Sequence, residues 1–181
     1  ETSVQRAVGK FQPDMILHTA AVASTEYCNA HPDIAKRINV EGAVYLAQAA
    51  KKIGAKMVFI SSEQVFNGNP EAGPYKETDQ ALPDTVYGQT KLAAEIHLQS
   101  ILQELWIVRF TWLFGLPQRG CGMSGDILWG TVQSILQNRP IRASKHEFRG
   151  MTYVQEMVEN VGKLLKLPYG TYHLGAENPK S

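Results

Sequence analysis

The sequence predicts an open α/β sheet of parallel strands, and three observations predict it. Short apolar runs alternate with stretches of helical periodicity along all 181 residues. Each helical stretch is long enough to carry the chain back across a sheet, as parallel pairing with right-handed crossovers requires. The apolar runs are near-continuous, as in strands covered on both faces, and no repeat, low-complexity tract or long linker breaks the order. Ligands in such sheets bind beyond the carboxyl ends of the strands.

Val4 to Phe11 reads as the end of a helix, and Pro13-Asp14 turns the chain into the apolar run Met15-Ile16-Leu17. That run ends at small residues, Thr19-Ala20-Ala21. A single long helix is predicted from about Asp33 to Ile53, with His31-Pro32-Asp33 as its start and Gly54 as its stop. Ile34, Ile38, Val44 and Ala47 fall at its apolar spacing. Lys56 to Ile60 is the next strand and ends in Ser61-Ser62. Residues 67–84, rich in Gly, Pro, Asn and Asp, form a surface excursion. A helix from Val86 to Leu102 leads into the strand Trp106 to Phe110. Helices at Ile127–Gln137 and Val154–Leu167 and a strand at Tyr172-His173-Leu174 complete the pattern.

Composition removes several function classes. A net charge of +1 provides no basic field, so nucleic acid is not expected as a partner. The longest nearly apolar stretch, Leu105 to Leu116, is interrupted by Arg109 and is far short of the roughly 20 residues a membrane helix needs. Cys28 and Cys121, with the histidines at 18, 31, 97, 146 and 173, show no ligand spacing, so no metal is expected. Few cysteines, and an opening Glu1-Thr2-Ser3 unlike a secretion signal, point to the cytoplasm.

A strand end and the helix start that follows it carry the candidate chemistry. Ser61-Ser62-Glu63 place two hydroxyls and a carboxylate on the rim, although serines there also serve as turn caps. Tyr87 and Lys91, four residues apart at the start of a helix, share one face. An ammonium beside a phenol is expected to lower its pKa from about 10 and make it a usable acid or base. Ser62 then serves as a positioned donor to an oxygen on which charge changes. With 7 tyrosines in the chain, about 0.4 Tyr-x-x-x-Lys matches are expected by chance, so the pair gains weight from its place at a helix start. Gly120 to Gly125 fits G-x-G-x-x-G but follows an irregular loop with no ribose-binding acid beyond it, which argues against a dinucleotide turn. Asn39 is read either as a water-holding residue or as a helix-internal hydrogen-bonding one. His18 is read as a packing or hydrogen-bonding residue and not as a catalytic one.

At these residues the chain resembles the short-chain dehydrogenase/reductase superfamily in its extended, nucleotide-sugar branch, and most closely the dTDP-4-dehydrorhamnose reductase family. Ile60-Ser61-Ser62-Glu63-Gln64-Val65-Phe66-Asn67-Gly68 is similar to that family's strand end, and Val86-Tyr87-Gly88-Gln89-Thr90-Lys91-Leu92-Ala93-Ala94-Glu95 to its helix start. Pro13-Asp14 through Ala21, Pro74-Tyr75 with Glu77-Thr78-Asp79, and Arg109 through Gly115 match further blocks. The resemblance implies a Rossmann-like doubly wound parallel sheet, truncated at its N-terminal side. It also implies reduction of the 4-keto group of a dTDP-6-deoxy-hexulose by NADP(H) or NAD(H), in dTDP-rhamnose and polysaccharide biosynthesis.

By the same resemblance Ser62, Tyr87 and Lys91 are the catalytic triad, and Ala20, Ala21, Val22 and Ser61, with Tyr87 and Lys91, line the cofactor. Ser62, Glu63 and Trp112 contact the sugar nucleotide. A homodimer is a possible assembly. Residues 1–115 are expected to form a partial NAD(P)-binding domain with the triad. Residues 116–181 are expected to form a partial substrate-side region with a returning helix and strand. The family's Gly-rich phosphate turn falls before the part that Glu1 matches. The resemblance therefore implies an internal piece of a longer enzyme, lacking that loop and the C-terminal segment, inactive alone and a poor binder of dinucleotide. Ser62, Glu63 and Gln64 depart from the family's Thr, Asp and aromatic residue, and in Glu147 to Thr152 Met151 stands where the family has Pro. These departures put the sugar in question more than the chemistry. A regulatory subunit of methionine adenosyltransferase, and sugar-nucleotide epimerases or dehydratases, are the competing readings.

Overall fold

The structure is a computed structural model and describes residues 1–116, 127–141 and 150–175. It divides into two compact units. One comprises Glu1–Arg109 with Pro168–His173, and the other Phe110–Leu167 with the residues from Leu174 on. The Gly120 to Gly125 motif, Cys121, His146 and the Glu147 to Arg149 segment lie outside the described residues.

In the first unit, helix α1 (Thr2–Phe11) precedes strand β1 (Met15–His18). Helices α2 (Thr25–Ala30), α3 (Pro32–Lys36) and α4 (Gly42–Ile53) lead to β2 (Lys56–Ser62). Helix α5 (Val86–Ile101) is followed by β3 (Leu105–Phe110), and β6 (Gly170–Leu174) closes the sheet. The strand order is β1-β2-β3-β6, with β1 and β2 parallel and His18 opposite Phe59. Every residue of β3 is buried, as a strand covered on both faces should be.

The core forms where α4 and α5 lie on the sheet. Ala43, Ala47 and Ala50 let α4 approach closely, while Met57, Phe59, Leu98 and Ile107 fill the space. Strand β1 departs from the expectation of double cover: Met15 and Leu17 are 41% and 51% exposed, and β1 is an edge of the sheet among the described residues.

The single helix expected over 33–53 is three pieces, and α2 precedes it. Ser24 caps α2 by accepting from the Tyr27 amide, and Pro32 starts α3 at a position where no amide donor is needed. Between α3 and α4, Arg37–Glu41 form a π turn. Its wider turn shifts the helix phase, so Ile38, predicted to face inward, is exposed, and Asn39 is 1% exposed in its place. Gly54 ends α4 with φ 70°, the left-handed conformation its position requires.

In the second unit, β4 (Trp112–Phe114) and β5 (Met151–Tyr153) pair in parallel, a small sheet that the sequence pattern did not signal. Helices α6 (Ile127–Leu136) and α7 (Val154–Leu164) fall within their expected ranges.

Candidate functional site

Two elements of the first unit bring Ser62 and Tyr87 together. Ser62 is the last residue of β2, and its Oγ accepts from the Gln64 amide at 3.2 Å, capping the 3₁₀ turn Glu63–Phe66. The capping role is therefore real, and it fixes the hydroxyl at the strand end. Tyr87 lies in the first turn of α5. That turn is anchored by Thr85, whose Oγ1 accepts from the Gly88 amide at 3.1 Å, and by Asn29, whose Oδ1 accepts from the Val86 amide at 3.0 Å. So held, Tyr87 stands near enough to the Ser62 hydroxyl for that group to favour its ionised form.

Gly88 makes this approach possible. A Cβ at that position would stand 2.4 Å from the Gln64 carbonyl oxygen and 2.9 Å from Pro83 Cβ. Gly88→Ala is expected to force α5 off the 3₁₀ turn, cost about 1–3 kcal/mol and part Tyr87 from Ser62. Chemical denaturation of the two proteins tests it, and an unchanged midpoint would mean the backbone there yields freely.

Lys91 sits one turn beyond Tyr87 and is 3% exposed. Its Nζ donates to the Ile60 carbonyl at 2.8 Å and lies 4.8 Å from the Phe59 ring centroid and 5.9 Å from that of Tyr87. Burial lowers its pKa to about 8, against the raising effect of Glu95.

The expectation that Lys91 would bring down the Tyr87 pKa is overturned. Tyr87 is pushed up to about 12, first by burial and then by the negative charge of Glu63, with the nearby Ser62 hydroxyl only partly opposing them. The ammonium is turned to a backbone carbonyl and lies against the ring face, so it does not offset the loss of water. Tyr87 is thus a neutral phenol throughout the physiological range. It is equipped to give up a proton to an oxygen that is becoming negative, and poorly equipped to stand as a phenolate.

Ser61 and Ser62 are neighbours on a strand, so their side chains take opposite faces. The Ser61 hydroxyl is buried and donates to Glu95 Oε1 at 2.5 Å, while Arg109 binds the same carboxylate through Nε at 3.0 Å and Nη2 at 2.6 Å. Glu63 is half-buried beside Tyr87.

Ala20, Ala21 and Val22 lie in the loop after β1, where Ala20 is exposed and Ala21 and Val22 half-buried. Val22 is gripped at both backbone groups by Asn39, which accepts from its amide at 2.8 Å and donates to its carbonyl at 3.0 Å. Asn39 also donates to Thr90 Oγ1 at 3.1 Å. Neither reading of Asn39 from sequence foresaw this: it ties the β1 loop to α5 next to Lys91. The clue available was a polar residue on a helix face otherwise rich in alanine. His18 packs on Phe59 with ring centroids 5.7 Å apart, its pKa lowered to about 4 by burial and then by Lys91, and its buried Nε2 has no partner.

Trp112 belongs to the second unit. It opens β4 opposite Met151, its amide donates to the Gly150 carbonyl at 3.2 Å, and its side chain is 37% exposed. Among the described residues no group of histidines, cysteines or carboxylates could hold a metal ion, and no helix is long and apolar enough to cross a membrane.

Comparison with known proteins follows the same lines. The family model described as "RmlD substrate binding domain" matches residues 1–181. The spore coat polysaccharide biosynthesis protein SpsK of Bacillus subtilis is 31% identical over 175 residues, which are 96% of this chain and 59% of that protein. The methionine adenosyltransferase 2 subunit beta of Bos taurus is 32% identical over 156 residues, 86% of this chain and 45% of that one. A crystal structure of dTDP-4-dehydrorhamnose reductase from Bacillus anthracis in complex with NADP superposes with a TM-score of 0.88 at 29% identity, over 98% of this chain and 61% of that chain. The chain therefore spans about three-fifths of the first relative's length and of that structure.

Proposed function

Since the chain belongs to the RmlD substrate binding domain family, we propose that it is part of an oxidoreductase that uses NADP(H) to reduce the 4-keto group of a dTDP-6-deoxy-hexulose. One observation carries the reading: a phenol that stays protonated, close enough to a strand-end serine for that hydroxyl to pull on its pKa, with a buried lysine one helical turn away. The similar reductase structure was obtained with NADP, which supports that cofactor.

In this reading Ser62 holds the ketone oxygen, and Tyr87 delivers its proton to that oxygen as negative charge develops on it. Lys91 keeps donors beyond the one given to Ile60, and these serve a ribose hydroxyl. The loop at Ala20, Ala21 and Val22 suits a flat ring, because its side chains are small and Asn39 fixes its backbone. The dinucleotide, when bound, supplies the hydride. Glu63 contacts the sugar nucleotide, and Ser61 supports the strand end from the opposite face. Residues 1–115 are the partial cofactor-binding part with the triad, and 116–181 a partial substrate-side region that also returns a helix and a strand to the same domain.

The test is purified full-length protein with a dTDP-4-keto-6-deoxy sugar and NADPH. Loss of reduced-cofactor absorbance that depends on the sugar is expected, and its absence would remove the reading. The similarity to the methionine adenosyltransferase subunit favours one other outcome, a partner protein without turnover. Copurification with a synthetase in place of activity would establish that instead.

A further inference from the structure

The excursion between Asn67 and Thr85 joins the two halves of the candidate site, since it leaves the Ser62 strand end and enters α5 just before Tyr87. Its stem is closed by asparagines. Asn67 Oδ1 accepts from the Asp84 amide at 3.2 Å, and Asn69 brackets the returning segment through the Leu82 amide at 2.9 Å and the Gln80 carbonyl at 2.8 Å. Farther out it is fastened to β6 at one residue, His173.

Three bonds meet there. The His173 amide donates to Glu77 Oε1 at 2.9 Å, His173 Nδ1 lies 3.2 Å from the Tyr75 carbonyl, and His173 Nε2 lies 3.4 Å from Arg109 Nη1. Arg109 Nη1 also reaches the Glu77 carbonyl at 3.5 Å. The Phe66 ring fills the space between, stacked on Tyr75 with centroids 4.7 Å apart and edge-on to His173 at 5.5 Å.

These partners allow one tautomer. A carbonyl only accepts, so Nδ1 must carry the hydrogen, and a guanidinium only donates, so Nε2 must be bare. A proton added to Nε2 would set two donors and two positive charges face to face, with Arg109 unable to give up its own. The remaining charged and titratable groups facing the ring are Glu77 and Tyr75 from the excursion and Glu95 from α5, and Glu95 is already bound in two places by Arg109.

We propose that His173 is a positioning residue that latches the excursion in its neutral form and releases it on protonation. Burial lowers the His173 pKa first and the Arg109 charge adds to it, together outweighing the opposing pull of Glu77, the Tyr75 carbonyl and Glu95, so the docked state binds fewer protons than the released one. The sign follows: docking is complete above the reference histidine pKa of about 6.5. It weakens by up to about tenfold per pH unit below that, until the docked pKa is reached. Glu77, held below the ordinary carboxylate range first by the His173 amide, keeps its charge through that window.

Amide hydrogen exchange on the 181-residue chain, corrected for intrinsic rates, reads the latch without requiring activity. Between about pH 7.5 and pH 5.5, opening of residues 70–82 is expected to rise several-fold while amides of β2 and α5 hold steady. His173→Asn retains a donor for the Tyr75 carbonyl but cannot titrate, and its exchange should not respond to pH. A flat wild-type response, or an equal response in the variant, would overturn the proposal. Should His173→Asn fail to fold, the imidazole resonances of the wild type decide. An Nδ1–H tautomer with a depressed pKa supports the latch, and an Nε2–H tautomer or an ordinary pKa overturns it.

Discussion

Tyr87→Phe is expected to lower the kcat for ketone reduction in the full-length protein by about 10²–10⁴-fold, the range a positioned general acid supplies. The substitution is conservative everywhere except at the reacting oxygen. The ring that lies beside Lys91 is retained, as are the Thr85 and Asn29 anchors of the helix start. Binding of substrate and cofactor should therefore change little, and the loss should fall on kcat more than on KM. The pH profile carries a second signature. With the phenol at about 12, Tyr87 itself should impose no fall in rate through the neutral range. A titration near 8 in the free enzyme belongs to Lys91, charged below that pH and neutral above it. A Phe variant turning over within about tenfold of the parent would take Tyr87 out of the proposed role.

Glu95→Leu is expected to destabilise the fold by about 3–5 kcal/mol, the largest stability loss among single substitutions considered for this site. The carboxylate is 2% exposed and holds the Arg109 guanidinium at 2.6 Å, with Ser61 donating to the same group. Removing it leaves a guanidinium that cannot deprotonate buried against the sheet, together with a hydroxyl lacking its acceptor. Glu95→Leu combined with Arg109→Met should recover most of the loss, because the desolvation cost of both charges disappears together. Denaturant midpoints of the single and double variants check both statements. A double variant as unstable as the single one would show that shape, and not charge, is what position 95 provides.

The sheet and its helices were legible because burial on two faces leaves continuous apolar runs, and β2 and β3 are such runs. Arg109 was visible too, as the interruption of one of them. A guanidinium inside a buried strand requires an acid, yet no rule of spacing says which, and Glu95 came from α5. The phase of the long helix was not legible. A π turn inserts one residue's worth of rotation without any breaker, so Ile38 and Asn39 exchanged places between surface and core. The pairing of Tyr87 with Lys91 on one helix face was readable from their separation. The direction of the phenol's pKa was not, because it depends on how much water the neighbouring elements exclude, a property of packing and not of spacing. The parallel pairing of β4 and β5 carries too few residues to show any period.

Lys91 has a consequence for how this chain can change. An ammonium held at a pKa of about 8 inside the fold is charged at neutral pH at a cost on the order of 3 kcal/mol, relieved only between about pH 8 and 10.5 as the proton leaves. An apolar side chain of similar length would fit the Phe59 and Tyr87 rings without that penalty. Selection for folding alone would discard the lysine early. A library screened only for heat resistance should drift away from Lys at position 91, yielding tougher proteins that have lost the group facing Tyr87, and stabilisation of this chain is best pursued with that position held fixed.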